Sequence, residues 1–271
     1  MDLSIIIVNY NTKDLLYDCL VSISETVKNL AYEIIVVDNN STDGSTDMVR
    51  HMFPSTQLVC NNVNLGFSRA NNQGYRHSRG EYLLFLNSDT LVLEGAIFGM
   101  FDYLRTHTEV GIVGPKILDS ARLPTRSYMR FLDLKKLFMG SKRLRLFFDV
   151  EKHRIHFPRY DYNSTRQTEW LSGACLMTKR NVFVEAGLFD EHFFLYLEDM
   201  DFCLQVRKLG CSVTYLPSAE IVHLFGGSST GNDKKLRRIK KDSTIYYFKK
   251  NFPIFHYLAA KMYLTLLPPY F

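Results

Sequence analysis

Short apolar runs that end in polar clusters, each followed by a segment of helical period, fill the first half of the chain. The run Ser4-Ile5-Ile6-Ile7-Val8 predicts a buried strand, and Leu15, Leu16, Cys19, Leu20 and Ile23 predict a helix over 12–26, capped by Asn11 or Thr12. Further strands are expected over 34–37, 57–60 and 82–86, and further helices over 43–51, 68–77 and 94–106. Repeated βα units of this length predict a parallel sheet with crossover helices. From Asp119 to Thr168 the chain is basic and aromatic without a sustained period, which reads as a long excursion able to cover or extend a site. Order returns with a strand over 170–177, helices over 181–186 and 200–208, and a strand over 212–216. A basic helix follows, then Asn251-Phe252-Pro253 and an amphipathic stretch over 254–267.

Composition narrows the class. At 271 residues, with 46% hydrophobic and 14% aromatic content, the chain is long enough to bury a substantial core. Its five cysteines are widely spaced with no C-x-x-C pair, so neither a disulfide framework nor a zinc site is expected, and a reducing cytosol fits. Neither a signal peptide nor an apolar run of about 18 residues is present in the sequence. The net charge of +5 is uneven: six of the eight residues in Lys234-Lys235-Leu236-Arg237-Arg238-Ile239-Lys240-Lys241 are cationic, and residues 135–145 form a second basic region. Such patches favour anionic surfaces. Aromatics do not interleave the octet, so nucleic acid is not an expected partner.

The candidate chemistry sits at the strand ends, where open α/β sheets place ligands. The 34–37 strand ends in Asp38-Asn39-Asn40-Ser41 and the 82–86 strand in Asn87-Ser88-Asp89; a third acidic cluster is Glu198-Asp199-Met200-Asp201. The first strand is followed by Asn9-Tyr10-Asn11-Thr12, not by a G-x-G-x-x-G fingerprint, and no P-loop is present. A nucleotide here would be held by acidic and amide side chains with a metal.

These motifs, together with Asn64-Leu65-Gly66-Phe67, Asn71-Asn72-Gln73-Gly74, Trp170-Leu171-Ser172-Gly173-Ala174, Gly187-Leu188-Phe189-Asp190-Glu191, the run from Phe194 to Asp201, and His223, resemble family-two inverting glycosyltransferases. The likeness covers roughly residues 3–227 and is greatest to the bacterial rhamnosyltransferase branch. It implies the GT-A fold, an α/β fold with a central, mostly parallel sheet flanked by helices. A catalytic domain over 1–230 would comprise a nucleotide-binding half (1–118) and an acceptor and catalytic half (119–230), followed by a basic C-terminal helical extension over 231–271.

The resemblance also implies roles. Asp38 would accept the imide N–H of a uracil or thymine base, with Val8, Asn9, Tyr10, Asn40, Gly66, Asn71, Asn87 and Ser88 around the nucleotide. Asn87-Ser88-Asp89 stands in the place of a D-x-D motif with Asn at its first position; Asp89 and His223 would hold Mg²⁺ or Mn²⁺ against the diphosphate. Asp199 would be the base that deprotonates the acceptor, with Glu198 orienting it or touching the acceptor. Trp170, Gly173 and Glu198 would line the acceptor site, although Trp170 serves equally as a core residue. The donor implied is dTDP-L-rhamnose and the acceptor a glycan or lipid-linked saccharide of cell-surface polysaccharide. The alternatives are a UDP-hexose or UDP-N-acetylhexosamine donor, or a noncatalytic binding module. Closing loops are expected over 226–231 and in the basic excursion. A cytoplasmic location is expected, at the inner face of the plasma membrane if the C-terminal stretch meets lipid; a homodimer contact is the other use of that stretch.

Overall fold

The computed structural model describes residues 1–139, 160–224 and 233–266. The expected closing loop at 226–231 lies outside the described residues, as does much of the basic excursion. Strands β1 (Leu3–Asn9), β2 (Tyr32–Asp38), β3 (Gln57–Cys60) and β4 (Tyr82–Asn87) are parallel in the order β3-β2-β1-β4, with helices α1 (Lys13–Thr26), α2 (Ser45–Met52) and α3 (Phe67–His77) between them in sequence. The register pairs Asn9 with Asp38 and Val8 with Asn87, so three carboxyl ends finish side by side.

The sheet continues beyond β4 through β10 (Cys175–Lys179), β6 (Val110–Leu118), β11 (Ser212–His223) and β5 (Thr90–Val92), with β8 (Arg166–Thr168) also on β11. Strand β10 is antiparallel to both neighbours, whereas β6 and β11 are parallel. A separate ribbon joins β7 (Tyr128–Met129) to β9 (Trp170–Leu171), so the expected 170–177 strand is two short strands in different sheets.

Alternation along β1 explains the layering. Leu3, Ile5 and Ile7 pack with α1, α2 and α4 (Ala96–Thr106) on one face, while Ile6 packs with α3, α6 (Arg180–Glu185) and α7 (Glu198–Lys208) on the other. Both faces are covered, so these strands read as continuous apolar runs. Gly74 of α3 sits against β1, where a Cβ would collide with Ile6.

Two features were not expected from sequence. Strand β6 contains Gly111, Gly114 and Pro115, which read as breakers. Strand β11 runs on to His223 through a register shift between Leu216 and Glu220, and its far end pairs His223 with Thr90 of β5. The C-terminal helices α8 (Asp233–Asn251) and α9 (Ile254–Leu266) are separated by Phe252-Pro253. With α5 (Leu134–Met139) they build a third apolar core from Leu137, Phe193, Met200, Tyr247, Phe248, Ala260, Tyr263 and Leu264. The C-terminal extension thus shares a core with the loop and helix that carry Glu198 and Asp199. Among the described residues no helix is long and apolar enough to cross a membrane.

Candidate active site

A cavity of about 640 Å³ opens where β1, β2 and β4 end. Val8 and Tyr10 line it from β1, Asn87, Ser88 and Asp89 from β4, Gly173 from the turn before β10, Glu198 and Asp199 from α7, and His223 from β11. With Gly66, which opens α3 and also lines the cavity, these are ten of the residues singled out from sequence. Asn9, Asp38, Asn40, Asn71 and Trp170 do not line it.

Asn9 and Asp38 form a scaffold behind the cavity. Asn9 Nδ2 donates to Asp38 Oδ2 at 2.7 Å and to Ser41 Oγ at 3.1 Å, and Asn9 Oδ1 accepts from Thr12 Oγ1 at 2.6 Å. Asp38 Oδ1 accepts from the Ser41 N–H at 2.8 Å. Asn40 is exposed in the left-handed region, and buried Asn71 donates to the Phe67 carbonyl at 3.0 Å. Asn39, which does line the cavity, donates to the Gly66 carbonyl at 3.1 Å. Gly66 (φ +82°) opens α3, where a Cβ would run into the Phe194 carbonyl, and the next N–H, of Phe67, donates to that same carbonyl at 2.7 Å. A chain of hydrogen bonds therefore links the tip of β2 to the segment that leads into α7.

That segment is bent hard. Tyr196 and Leu197 both have φ of +71°, an uncommon conformation for bulky residues and a costly one. It brings Glu198 and Asp199 to the first turn of α7, at the positive end of the helix dipole. Asp199 Oδ1 accepts from the Met200 N–H and Oδ2 from the Gly173 N–H, both at 2.7 Å. Only glycine permits that second approach comfortably, because a Cβ at position 173 would lie 3.1 Å from Asp199 Cβ. Burial pushes the Asp199 carboxyl up to about 6 despite these two donors. Trp170 sits beside the same carboxylate and favours its charged form, but its Nε1 makes no hydrogen bond of ordinary geometry. Glu198 is 5% exposed and its Oε2 has no hydrogen-bond partner; burial, and then the neighbouring Asp199, raise its carboxyl well above the usual range. Burial and the neighbouring charge thus favour the protonated form of Glu198, while the two backbone donors favour the ionised form of Asp199.

At the opposite wall Asp89 Oδ1 lies 3.0 Å from His223 Nε2, and Asn87 Nδ2 lies 3.4 Å from that same nitrogen. One imidazole nitrogen cannot donate to Asp89 and accept from Asn87 together. Turning the Asn87 amide over, so that its oxygen faces the ring, removes the conflict. Cis ligands of an octahedral ion bound at ~2.1 Å stand about 3 Å apart, so the Asp89–His223 spacing fits a hard divalent cation. Among the described residues no set of three or more His, Cys, Asp and Glu side chains is arranged to hold a metal. An ion here would therefore take its remaining ligands from substrate phosphates and water, the usual habit of Mg²⁺.

Several lining residues went unselected in the sequence. Asn39, Asn64, Phe67, Ser172, Phe194, Leu195 and Tyr196 lie inside the recognised motifs, so their place was available to reasoning. Lys235, Leu236 and Ile239 of α8 also line the cavity, and nothing in the spacing of the basic octet signals this.

Comparison with known proteins gives these features a family. The model of glycosyl transferase family 2 matches residues 4–187. The chain is 28% identical over 240 residues to an N-acetylglucosaminyl-diphospho-decaprenol L-rhamnosyltransferase of Mycobacterium tuberculosis, covering 79% of this chain and 73% of that protein. It is 24% identical over 254 residues to the rhamnosyltransferase WbbL of Escherichia coli K12, covering 91% of this chain and 92% of that one. Among solved structures, a mannosyltransferase of Pyrobaculum calidifontis in complex with GDP-Man and Mn²⁺ superposes with a TM-score of 0.62 at 21% identity, over 98% of this chain and 70% of that one. GalNAc-T7 with UDP, GalNAc and Mn²⁺ superposes with a TM-score of 0.66 at 15% identity, over 92% of this chain and half of that longer one. Since the matched segment spans more than half of the sequence and contains β1, β2 and β4, whose ends border the cavity, the chain belongs to glycosyl transferase family 2 and is a glycosyltransferase of the GT-A fold.

Proposed function

We propose that the protein transfers L-rhamnose from dTDP-rhamnose, with inversion, to a glycan or lipid-linked saccharide acceptor in cell-surface polysaccharide synthesis. The observation that carries the chemistry is Asp199: a buried carboxylate with a pKa of about 6, fixed by two backbone N–H groups, in the same cavity as the Asp89–His223 pair. The sugar assignment is supported by the rhamnosyltransferase relatives.

In this reading the acceptor hydroxyl attacks the anomeric carbon from the face opposite the diphosphate. A new C–O bond forms, the bond from that carbon to the diphosphate breaks, and the hydroxyl proton passes to Asp199. Asp89 and His223 would hold a Mg²⁺ or Mn²⁺ ion, which when bound neutralises charge on the departing diphosphate. Asp38, behind the cavity and bonded to Asn9 and Ser41, would serve base recognition by fixing the tip of β2. Glu198, whose protonated form burial favours, would offer an O–H to the acceptor, and Gly173 keeps that side of the cavity open.

A thermal-shift panel of sugar nucleotides with and without Mn²⁺ tests the donor, because a ligand that binds only the folded state raises its apparent stability. dTDP-rhamnose is expected to shift the melting temperature, and more so with Mn²⁺; the metal increment should vanish in Asp89→Ala and His223→Ala. A shift with UDP-sugars and none with dTDP-rhamnose would overturn the rhamnose assignment. Nucleoside diphosphate release that survives Asp199→Asn would overturn the mechanism.

A further inference from the structure

Helix α9 is folded onto the protein by one face and leaves another uncovered. Ala260, Tyr263 and Leu264 are buried in the third core, whereas Ile254, Phe255, Leu258, Met262 and Leu266 are 54% to 69% exposed. At about 100° per residue these five occupy a sector of about 120°, interrupted only by Thr265. A third of the large apolar side chains exposed among the described residues are on this one helix. Such a concentration marks an interaction surface. Phe252-Pro253 separates α8 from α9 and Phe248 lies in the core, so the arc is confined to α9.

Charge selects the occupant. Helices α8 and α9 together carry nine lysines and arginines against two aspartates, a net +7, while the whole chain carries +5. Lys234, Lys249 and Lys261 are exposed, and Lys261 stands at the edge of the apolar arc. A second copy seated on the same face would bring two such cationic surfaces together, which is unfavourable for a self-complementary contact. An apolar arc with Lys261 at its edge, on a strongly cationic helical pair, is complementary to a bilayer with anionic headgroups.

We propose that the outer arc of α9 seats in the surface of an anionic lipid bilayer, with the exposed Lys234, Lys249 and Lys261 meeting the headgroups. Helix α8 forms one wall of the cavity through Lys235, Leu236 and Ile239, so this seating holds a cavity wall and the membrane anchor in one helical pair. The use of that arrangement, delivery of a lipid-linked acceptor, rests on the transfer reading above. The seating itself is measured without donor or acceptor, so failure of either is told apart from failure of the other.

The test is flotation of the full chain with phosphatidylcholine vesicles, with or without about 30% phosphatidylglycerol. The wild type is expected to float with the anionic vesicles, less so at high salt. The triple variant Phe255→Ser, Leu258→Ser, Met262→Ser is expected to partition roughly tenfold less or weaker still, because it removes most of the insertable apolar area. A second variant keeps the arc intact: Phe255→Trp should show blue-shifted emission when anionic vesicles are added, with the wild type, which has Trp170 alone, as the blank. Equal flotation of the triple variant and the wild type would overturn the proposal. So would absence of wild-type flotation, an unshifted Phe255→Trp emission, or a wild-type dimer by sedimentation that the triple variant dissolves.

Discussion

At the scale of single residues, the proton inventory of Glu198 and Asp199 sets the pH response. A base must be ionised to accept a proton, so kcat/KM is expected to rise with pH through about 6 and then level, following Asp199. A profile that stays flat between about pH 5 and pH 8 would remove Asp199 from that role. Asp199→Asn keeps the shape of the side chain and loses the base, so turnover should fall by about 10²–10⁴; its Nδ2 would also face either the Gly173 or the Met200 N–H, so the melting temperature should fall as well. Glu198→Gln should behave differently. Burial, and then Asp199, favour the protonated form of Glu198, to which the amide is close to isosteric, so kcat/KM at pH 7 is expected within about threefold of wild type. A loss as large as that of Asp199→Asn would show that Glu198 works as an anion.

At the scale of elements, α8 is latched to α7 by a small charged network. Lys250 Nζ donates to Asp190 Oδ2 and to Asp201 Oδ2, each at 2.7 Å, while Tyr246 OH donates to Asp190 and Asn251 Nδ2 to Asp201 Oδ1. Burial alone would raise the Asp190 carboxyl, but the Lys250 ammonium and the His192 N–H and ring outweigh it and hold the carboxyl well below the usual range. Lys250→Met removes the bridging cation from between two carboxylates. It is expected to cost about 1–3 kcal/mol, less than a fully buried pair because Lys250 is partly exposed. The sign with pH follows from the depressed carboxyl: the stabilisation is complete above about pH 4 and is lost as pH falls through the lower, folded-state value. Melting curves of wild type and variant should therefore differ at neutral pH and converge in strong acid.

The same scale explains what could be read in the sequence. Strands β1, β2 and β4 and their terminal Asn9, Asp38 and Asn87 were legible because a strand buried on both faces is an unbroken apolar run. Strand β6 was not, because its glycines serve packing and not turning. A Cβ on Gly111 would lie 2.6 Å from Val206 of α7, and one on Gly114 would lie 3.2 Å from Leu171. Motif residues near the cavity could be recognised, but whether a residue lines it or braces it, as Tyr10 and Asp38 respectively do, depends on hydrogen bonds between strand ends. Lys235 reached the cavity only through tertiary packing of α8, which carries no local signature.

At the scale of the whole molecule, the C-terminal helices are structural as well as peripheral. They cover Phe193 and Met200, which flank Glu198 and Asp199 in the chain and are 0% and 4% exposed. Deleting residues 233–271 is therefore expected to remove activity and to lower the yield of soluble protein, with dye binding by the uncovered core as the readout. Retained turnover in that deletion would show that α7 holds its place without them.

The register shift in β11 also has a bearing on how this architecture tolerates change. From Leu216 to Glu220 the strand takes more residues than its partner β6, and only after that surplus does His223 come opposite Thr90, next to Asp89. Side chains alternate between faces, so the loss or gain of one residue within 217–219 would turn His223 away from the cavity while leaving every motif intact. Chain length at this bulge is thus under tighter constraint than residue identity, and variation there should be read as substitutions without insertions or deletions.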